Sequence, residues 1–290
     1  MTNPVIPEKP VSKGKMKKIA FQGEKGAFSE DAAYHFFDND IQPVPNKTFR
    51  EVFSSVTSGT ADHGMIPIEN SFTGSIHQNM DLLLEFDLSV IGEIVLRIHH
   101  NLLAHNSVSI NNIRTVYSHP QALGQCSDFL DSMGDIEIIP MYDTAGSAKR
   151  ISEGSDQNAA SIASIRAAKD YGLQVLKKGI ENNDQNFTRF LIISQKPIVP
   201  AKHAKTSIVF SAKDIPGALF KSLSVFALRD INLLKIESRP LRKGKWRYWF
   251  YLDFEGCVQD EACQNALNHL QEITSFFKVL GSYEQGKVVK

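Results

Sequence analysis

Lys196-Pro197-Ile198-Val199-Pro200-Ala201-Lys202-His203-Ala204 divides the chain into two regions with different hydrophobic patterns, and that change constrains the fold more than any other feature. Its prolines interrupt helix and ladder alike, so 197–204 reads as a linker. Upstream, short apolar runs alternate with helical spacing. Lys18-Ile19-Ala20-Phe21-Gln22-Gly23 ends in glycine and leads into Ala27-Phe28-Ser29-Glu30 and the apolar positions Ala32, Ala33, Phe36 and Phe37, which is a strand, a glycine loop and a helix. A helix over 49–58, a strand over 63–68 and a helix from near Ser71 to Leu84 continue the series. A second series has strands at 115–117, 136–140 and 159–162 and helices at 120–130, 145–153 and 165–168. Ile91 to Ile98 and Asp184 to Ile193 are the crossings between them. A chain that crosses twice makes two lobes, here 18–95 with 187–196 and 96–186, joined by a hinge around a cleft. Ligands of such α/β lobes sit at the carboxyl ends of strands, where loops feed helix N-termini.

Beyond the linker the order changes. Strand 206–212, helix 216–228, strand 231–237, a strand from Trp246 to Phe254, helix 259–273 and strand 277–282 give βαββαβ, the ferredoxin-like split unit, in a domain spanning 205–284. The expected fold class is therefore α/β with two lobes over 18–196, plus a smaller α+β domain. Each pattern accounts for a core, so the first domain is expected to fold and work without the second.

The 32 basic and 32 acidic residues balance, with pI near 7.1, so no field draws in a polyanion and nucleic acid is excluded as a partner. No apolar run has membrane-spanning length. Residues 1–17 are polar, with prolines and lysines, and read as a mobile tail without a secretory signal. Cys126, Cys257 and Cys263 form no CxxC and read as buried thiols of a reducing, cytoplasmic compartment. His99, His100 and His105 have neither HExxH spacing nor thiol or carboxylate partners in sequence, so no metal is implied.

Four polar clusters carry the chemistry: Pro67-Ile68-Glu69-Asn70-Ser71-Phe72-Thr73-Gly74, Ser118-His119-Pro120-Gln121-Ala122-Leu123-Gly124-Gln125, Asp143-Thr144-Ala145-Gly146-Ser147, and Asn186-Phe187-Thr188-Arg189-Phe190 running into Leu191-Ile192-Ile193-Ser194. Ser118, Asp143, Thr144, Ser71 and Thr73 suit helix caps, and several helix N-termini facing one cleft also make an anion site. Dinucleotide, Walker A and Gly-x-Ser-x-Gly patterns are absent. What remains is a set of hydroxyls and amides with one arginine and one glutamate, able to position and hydrogen-bond but without a strong nucleophile.

In this order the clusters resemble the catalytic domain of the prephenate dehydratase family. Asp214-Ile215-Pro216-Gly217-Ala218-Leu219 and Glu237-Ser238-Arg239-Pro240 resemble the phenylalanine-binding motifs of its ACT domain. The resemblance covers Lys18 to Tyr283 and implies a two-lobed fold like that of periplasmic binding proteins. It implies conversion of prephenate to phenylpyruvate, water and CO2 without a cofactor, with L-phenylalanine as feedback effector. A homodimer or dimer of dimers would have effector sites at the ACT interface. By resemblance Thr188 is the donor to the leaving hydroxyl, and Ser118 and Gln125 orient the substrate. Asn70, Ser118 or Gln125 face the leaving carboxylate, and Arg189 clamps the pyruvyl carboxylate. Glu69 locks Arg189 or Asn70, Phe190 walls the cleft, and Ser71, Thr73, His119, Thr144 and Ala145 complete the substrate site. No chorismate mutase helix precedes Lys18 and no dehydrogenase region follows, as expected of the monofunctional enzyme. The rivals are an arogenate dehydratase, which needs an acidic partner for the substrate ammonium, and a non-catalytic amino-acid sensor.

Overall fold

The computed structural model describes residues 16–200, 203–240 and 248–289. Most of the expected tail, two linker residues and the start of the strand expected at Trp246 lie outside the described residues.

The first lobe runs β1 (Lys17–Gln22), α1 (Phe28–Phe36), β2 (Ile41–Asn46), α2 (Phe49–Thr57), β3 (His63–Asn70), β4 (Gly74–Ser75), α3 (His77–Glu85) and β5 (Ser89–Arg97). The second runs β6 (Asn101–Ala104), β7 (Thr115–Ser118), α4 (Pro120–Gln125), α5 (Ser127–Ser132), β8 (Glu137–Pro140), α6 (Thr144–Glu153), β9 (Ala159–Ala163), α7 (Ile165–Asp170) and β10 (Gln174–Lys177). β11 (Phe187–Ser194) returns to the first lobe. The third unit is β12 (Ala204–Ala212), α8 (Ala218–Ala227), β13 (Leu233–Pro240), β14 (Tyr248–Glu255), α9 (Glu261–Ile273) and β15 (Thr274–Glu284), followed by β16 (Lys287–Val289). It has the expected βαββαβ order.

Among the described residues the strands form three sheets, ordered β16-β5-β11-β3-β1-β2 with β4 on β3, β10-β6-β9-β7-β8, and β13-β14-β12-β15. β1 pairs in parallel with β2 and β3, whereas β11 lies antiparallel between β3 and β5. β2, which is absent from the expected elements, carries Pro43 and Pro45. It is an edge strand, where a missing N–H is tolerated.

The helix expected from Ser71 starts only at His77. The side-chain Oδ1 of Asn70 accepts the backbone N–H groups of Phe72 and Thr73, and Gly74 takes φ +75°, so the chain turns before it coils. The helix expected over 120–130 is broken at Cys126, which has non-helical backbone angles and joins α4 to α5.

The third sheet is covered on both faces. One packs Ile208, Phe210, Leu252 and Phe254 against Val225 and Leu270 of its own helices. The other places Val209, Tyr251, Leu280 and Tyr283 in one core with Val52, Leu83, Val90 and Leu191 of the first lobe. Gly281 lies so close to the Val90 carbonyl that a Cβ there would stand 2.0 Å from the oxygen. β16 then adds to the large sheet beside β5, outside the expected 205–284 domain. The two domains thus share a core, which a period-2 strand pattern cannot reveal because it does not show that a strand's second face is covered by another domain.

Candidate functional site

Between the lobes lies a cleft of about 480 Å³. From the first lobe it is lined by the starts of α1 (Ala27, Phe28, Ser29) and α2 (Lys47, Thr48, Phe49), with Asn70 ending β3 and Thr188 and Phe190 from β11. From the second come His100, α4 (His119, Gln121 and Ala122 at its start and Gln125 at its end) and the start of α6 (Tyr142, Asp143, Thr144). Ile76 and Gln78 at the start of α3 also line it, so five helix N-termini face one space, and α1 has no side-chain cap, which leaves its first amides available to an anion. Thr48 accepts from Glu51 N at 3.2 Å and His119 Nδ1 from Gln121 N at 3.2 Å. Asp143 caps α6 through Gly146 N and reaches across to accept Glu24 N at 3.1 Å, which ties the lobes together. Lys47 is the one lysine or arginine on the walls among the described residues. Burial pushes Asp143 above the usual carboxylate value despite those backbone N–H groups, and pushes His119 and His100 below the ordinary histidine value.

Thr188 is buried, and its Oγ1 accepts from Asn70 Nδ2 at 3.0 Å. The same amide donates to Asn186 Oδ1 at 2.8 Å, and Asn186 Nδ2 donates to Gln125 Oε1 at 3.0 Å. Gln125 Oε1 in turn meets His100 Nε2 at 2.9 Å. Thr188, Asn70, Gln125, His119, Thr144 and Phe190 therefore share the cleft, and Thr73 touches it indirectly by accepting from Gln121 Nε2 at 3.1 Å.

Other expected site residues are placed elsewhere. Ser118 is fully buried and donates to Ile162 O at 2.7 Å, holding β7 to β9 instead of facing the cleft. Ser71 braces the hinge through Gln185 O at 2.9 Å and Phe187 N at 3.0 Å. Ala145 is core, packed among first-lobe side chains. The largest correction concerns Arg189. Side chains alternate along a strand, so Thr188 and Phe190 face the cleft and Arg189 faces away. Its guanidinium meets Glu93 at 2.6 Å, Asp253 at 2.8 Å and Tyr283 Oη at 3.1 Å, so it cannot clamp a carboxylate in the cleft. Glu69 lies on that same face, 3.9 Å from Arg189 and 2.8 Å from Lys235. Asn186, His100, Gln121, Phe28 and Lys47 are absent from the expected set. The available signal was position, since His100 follows the carboxyl end of β5 and Lys47 precedes the cap of α2.

The prephenate dehydratase family model matches residues 19–198, and the ACT domain model matches 206–268. The chain belongs to the prephenate dehydratase family. It is 47% identical over 284 residues to arogenate dehydratase/prephenate dehydratase 2, chloroplastic, of Arabidopsis thaliana, covering 94% of this chain and 74% of that one. To the bifunctional chorismate mutase/prephenate dehydratase of Aquifex aeolicus it is 42% identical over 267 residues, covering 92% and 73%. The crystal structure of prephenate dehydratase in complex with L-Phe from Arthrobacter aurescens superposes with TM-score 0.84 at 31% identity, covering 92% of this chain and 90% of that one. This prephenate dehydratase relative is accordingly an enzyme, and the sensor-only reading is set aside.

In the ACT domain of this dehydratase, Gly217 adopts φ +76° at the start of α8, a backbone state that favours glycine. Asp214, Ile215, Gly217, Ala218 and Leu219 line a depression of about 310 Å³ together with Tyr248 and Phe250, which the expected set lacks. Glu237 and Arg239 do not line it. Alternation along β13 turns both toward the catalytic lobe, where Glu237 accepts from Ser75 and lies 3.1 Å from His77 Nε2, and Arg239 reaches Asp81 at 3.1 Å. Ser238 and Pro240 are exposed, and Pro216 stands outside the lining.

Proposed function

We propose that the chain converts prephenate to phenylpyruvate, water and CO2 in the cleft between its lobes. One observation carries the reading: the Thr188 oxygen accepts from Asn70, and no acceptor claims its own proton among the described residues. That proton is available to a departing hydroxyl. As the C–C bond to the ring carboxylate breaks, its electron pair enters the ring and the C–O bond breaks, so hydroxide leaves as water with a proton supplied through Thr188 and replaced from solvent. Aromatisation drives the step, and Thr188 supplies a hydrogen bond where charge develops. The retained carboxylate is assigned to Lys47 and the amides opening α1 and α2, in place of Arg189. The leaving carboxylate faces the neutral amides of Asn70 and Gln125, since tight ion pairing would hold the ground state.

A second reading is favoured by Asp143, the one acid on the cleft walls among the described residues, which suits the ammonium of arogenate. The Arabidopsis relative carries both substrates in its name. Incubation with each substrate in parallel, following phenylpyruvate absorbance and phenylalanine release, decides between them. Equal inertness toward both would overturn the proposal.

We also propose feedback by L-phenylalanine at the depression beside Gly217. The open edge of β13 and exposed Phe220 and Leu228 suit pairing of two ACT domains in a homo-oligomer. The three buried free thiols suit a reducing compartment such as the cytoplasm. Among the described residues no helix is long and apolar enough to cross a membrane.

A further inference from the structure

We infer that Asp253, in the ACT domain, is a positioning residue for the dehydration step, acting through Arg189 on the neighbouring Thr188. Asp253 lies on β14, and its carboxylate meets the Arg189 guanidinium at 2.8 Å. The contact is one corner of a closed cluster. Arg189 Nε meets Glu93 at 2.6 Å, Lys205 Nζ lies 3.0 Å from Glu93, and Ser207 donates to Asp253 at 2.5 Å. Because the Ser207 proton goes to Asp253, Tyr283 donates to Ser207 Oγ at 2.6 Å and its oxygen accepts from Arg189 at 3.1 Å. Every member is buried or nearly so, with the Arg189 side chain 13% exposed, so water offers no alternative partners. Burial opposes the charge on Asp253, yet Arg189 and Lys205 hold its carboxyl below the usual carboxylate value.

The lever is the strand. Thr188 and Arg189 leave β11 on opposite faces, so a rotation of the strand that carries the guanidinium away from Asp253 swings the hydroxyl in the cleft the other way. On the β3 side the pairing of β11 shifts register between Arg189 and Phe190, a local irregularity next to Thr188, while the β5 ladder runs unbroken from Phe187 to Ile192. The fork of Arg189, fixed from two domains, adds a constraint on the β3 side, where the ladder is irregular.

This inference rests on the reaction proposed above, and the test separates the two. Asp253→Asn and Arg189→Lys, singly and together, are assayed on prephenate and arogenate, with melting temperature measured and the Thr188 methyl followed by NMR in the absence of substrate. Each single change is expected to lower kcat about tenfold with KM within about twofold, and the pair to be no worse than the poorer single. The Thr188 methyl resonance is expected to move in each folded variant. A folded Asp253→Asn enzyme with parental kcat and an unmoved Thr188 methyl would overturn the inference, as would strictly additive losses. Should Asp253→Asn not fold, Arg189→Lys decides by the same two readouts. A parent inactive on both substrates would instead sink the proposed reaction, while the methyl resonance still reports on the coupling.

Discussion

Asn70 donates its side-chain amide to Thr188 Oγ1 at 3.0 Å and cannot be turned around, because its carbonyl is held by the backbone N–H groups of Phe72 and Thr73. Two backbone amides thereby set the direction of a whole chain of side chains. With Asn70 fixed as donor, Asn186 Oδ1 must accept, its amide must donate, and Gln125 Oε1 must accept. His100 then donates from Nε2, which leaves Nδ1 a bare lone pair, buried and without a hydrogen-bond partner among the described residues.

Asn70→Asp, nearly the same shape, replaces the donor beside Thr188 with an acceptor and draws the threonine proton toward itself. Turnover is expected to fall about a hundredfold, the scale of one positioned proton donor. Steady-state kinetics at equal folded fraction check this, and parental kcat would show that the proton of Thr188 is not what matters.

His100 is expected to carry its proton on Nε2 in the free protein, read directly by 15N NMR of the imidazole. Burial lowers its pKa from 6.5, so it contributes stability that is present above that value and lost as pH falls toward the lowered one. His100→Gln should flatten that part of the stability-pH curve relative to the parent. A proton on Nδ1, or an unchanged curve, would break the chain of donors derived from Asn70.

Much of this architecture is legible in the sequence, for particular reasons. Strand, glycine loop and helix announce themselves at Lys18 to Phe37 because each has its own period, and Asn70 and Thr188 stand at strand ends, where ligands bind. The direction of Arg189 is different. Its charge suggested an anion in the cleft, but alternation places it opposite Thr188, and of the acids it meets there Asp253 lies 64 residues further along, in another domain. Ser118 fails for a similar reason: a hydroxyl on a strand end can serve the neighbouring strand as well as a substrate. β16 is too short to carry a period, and Gly281 is informative only once Val90 is seen against it.

Separating the two domains should be damaging. A chain ending near Pro197 loses the apolar face that covers Val90 and Leu191, and leaves Arg189 facing only Glu69 and Glu93. It is expected to be inactive or poorly folded. Gly281→Ala tests the same contact more gently, with an expected loss of about 1–3 kcal/mol in chemical denaturation. A fully active and stable fragment would mean that the shared core is dispensable.

Gly217→Val is expected to abolish the response to phenylalanine while leaving basal turnover near the parent value. Space does not limit this site, since nothing lies within 4 Å of a Cβ there. The φ of +76° does, because a β-branched residue disfavours it and the turn opening α8 must rearrange. Calorimetry with phenylalanine checks the loss, and undiminished binding would move the effector site elsewhere.

The measurement closest to the central claim is the turnover of Thr188→Ala on prephenate and arogenate, beside Thr188→Ser. The alanine variant should lose about 10²- to 10⁴-fold in kcat while keeping its melting temperature, and the serine variant, which retains the hydroxyl, should keep measurable activity. An alanine variant that turns over substrate within a few-fold of the parent would contradict the assignment of Thr188 as the donor.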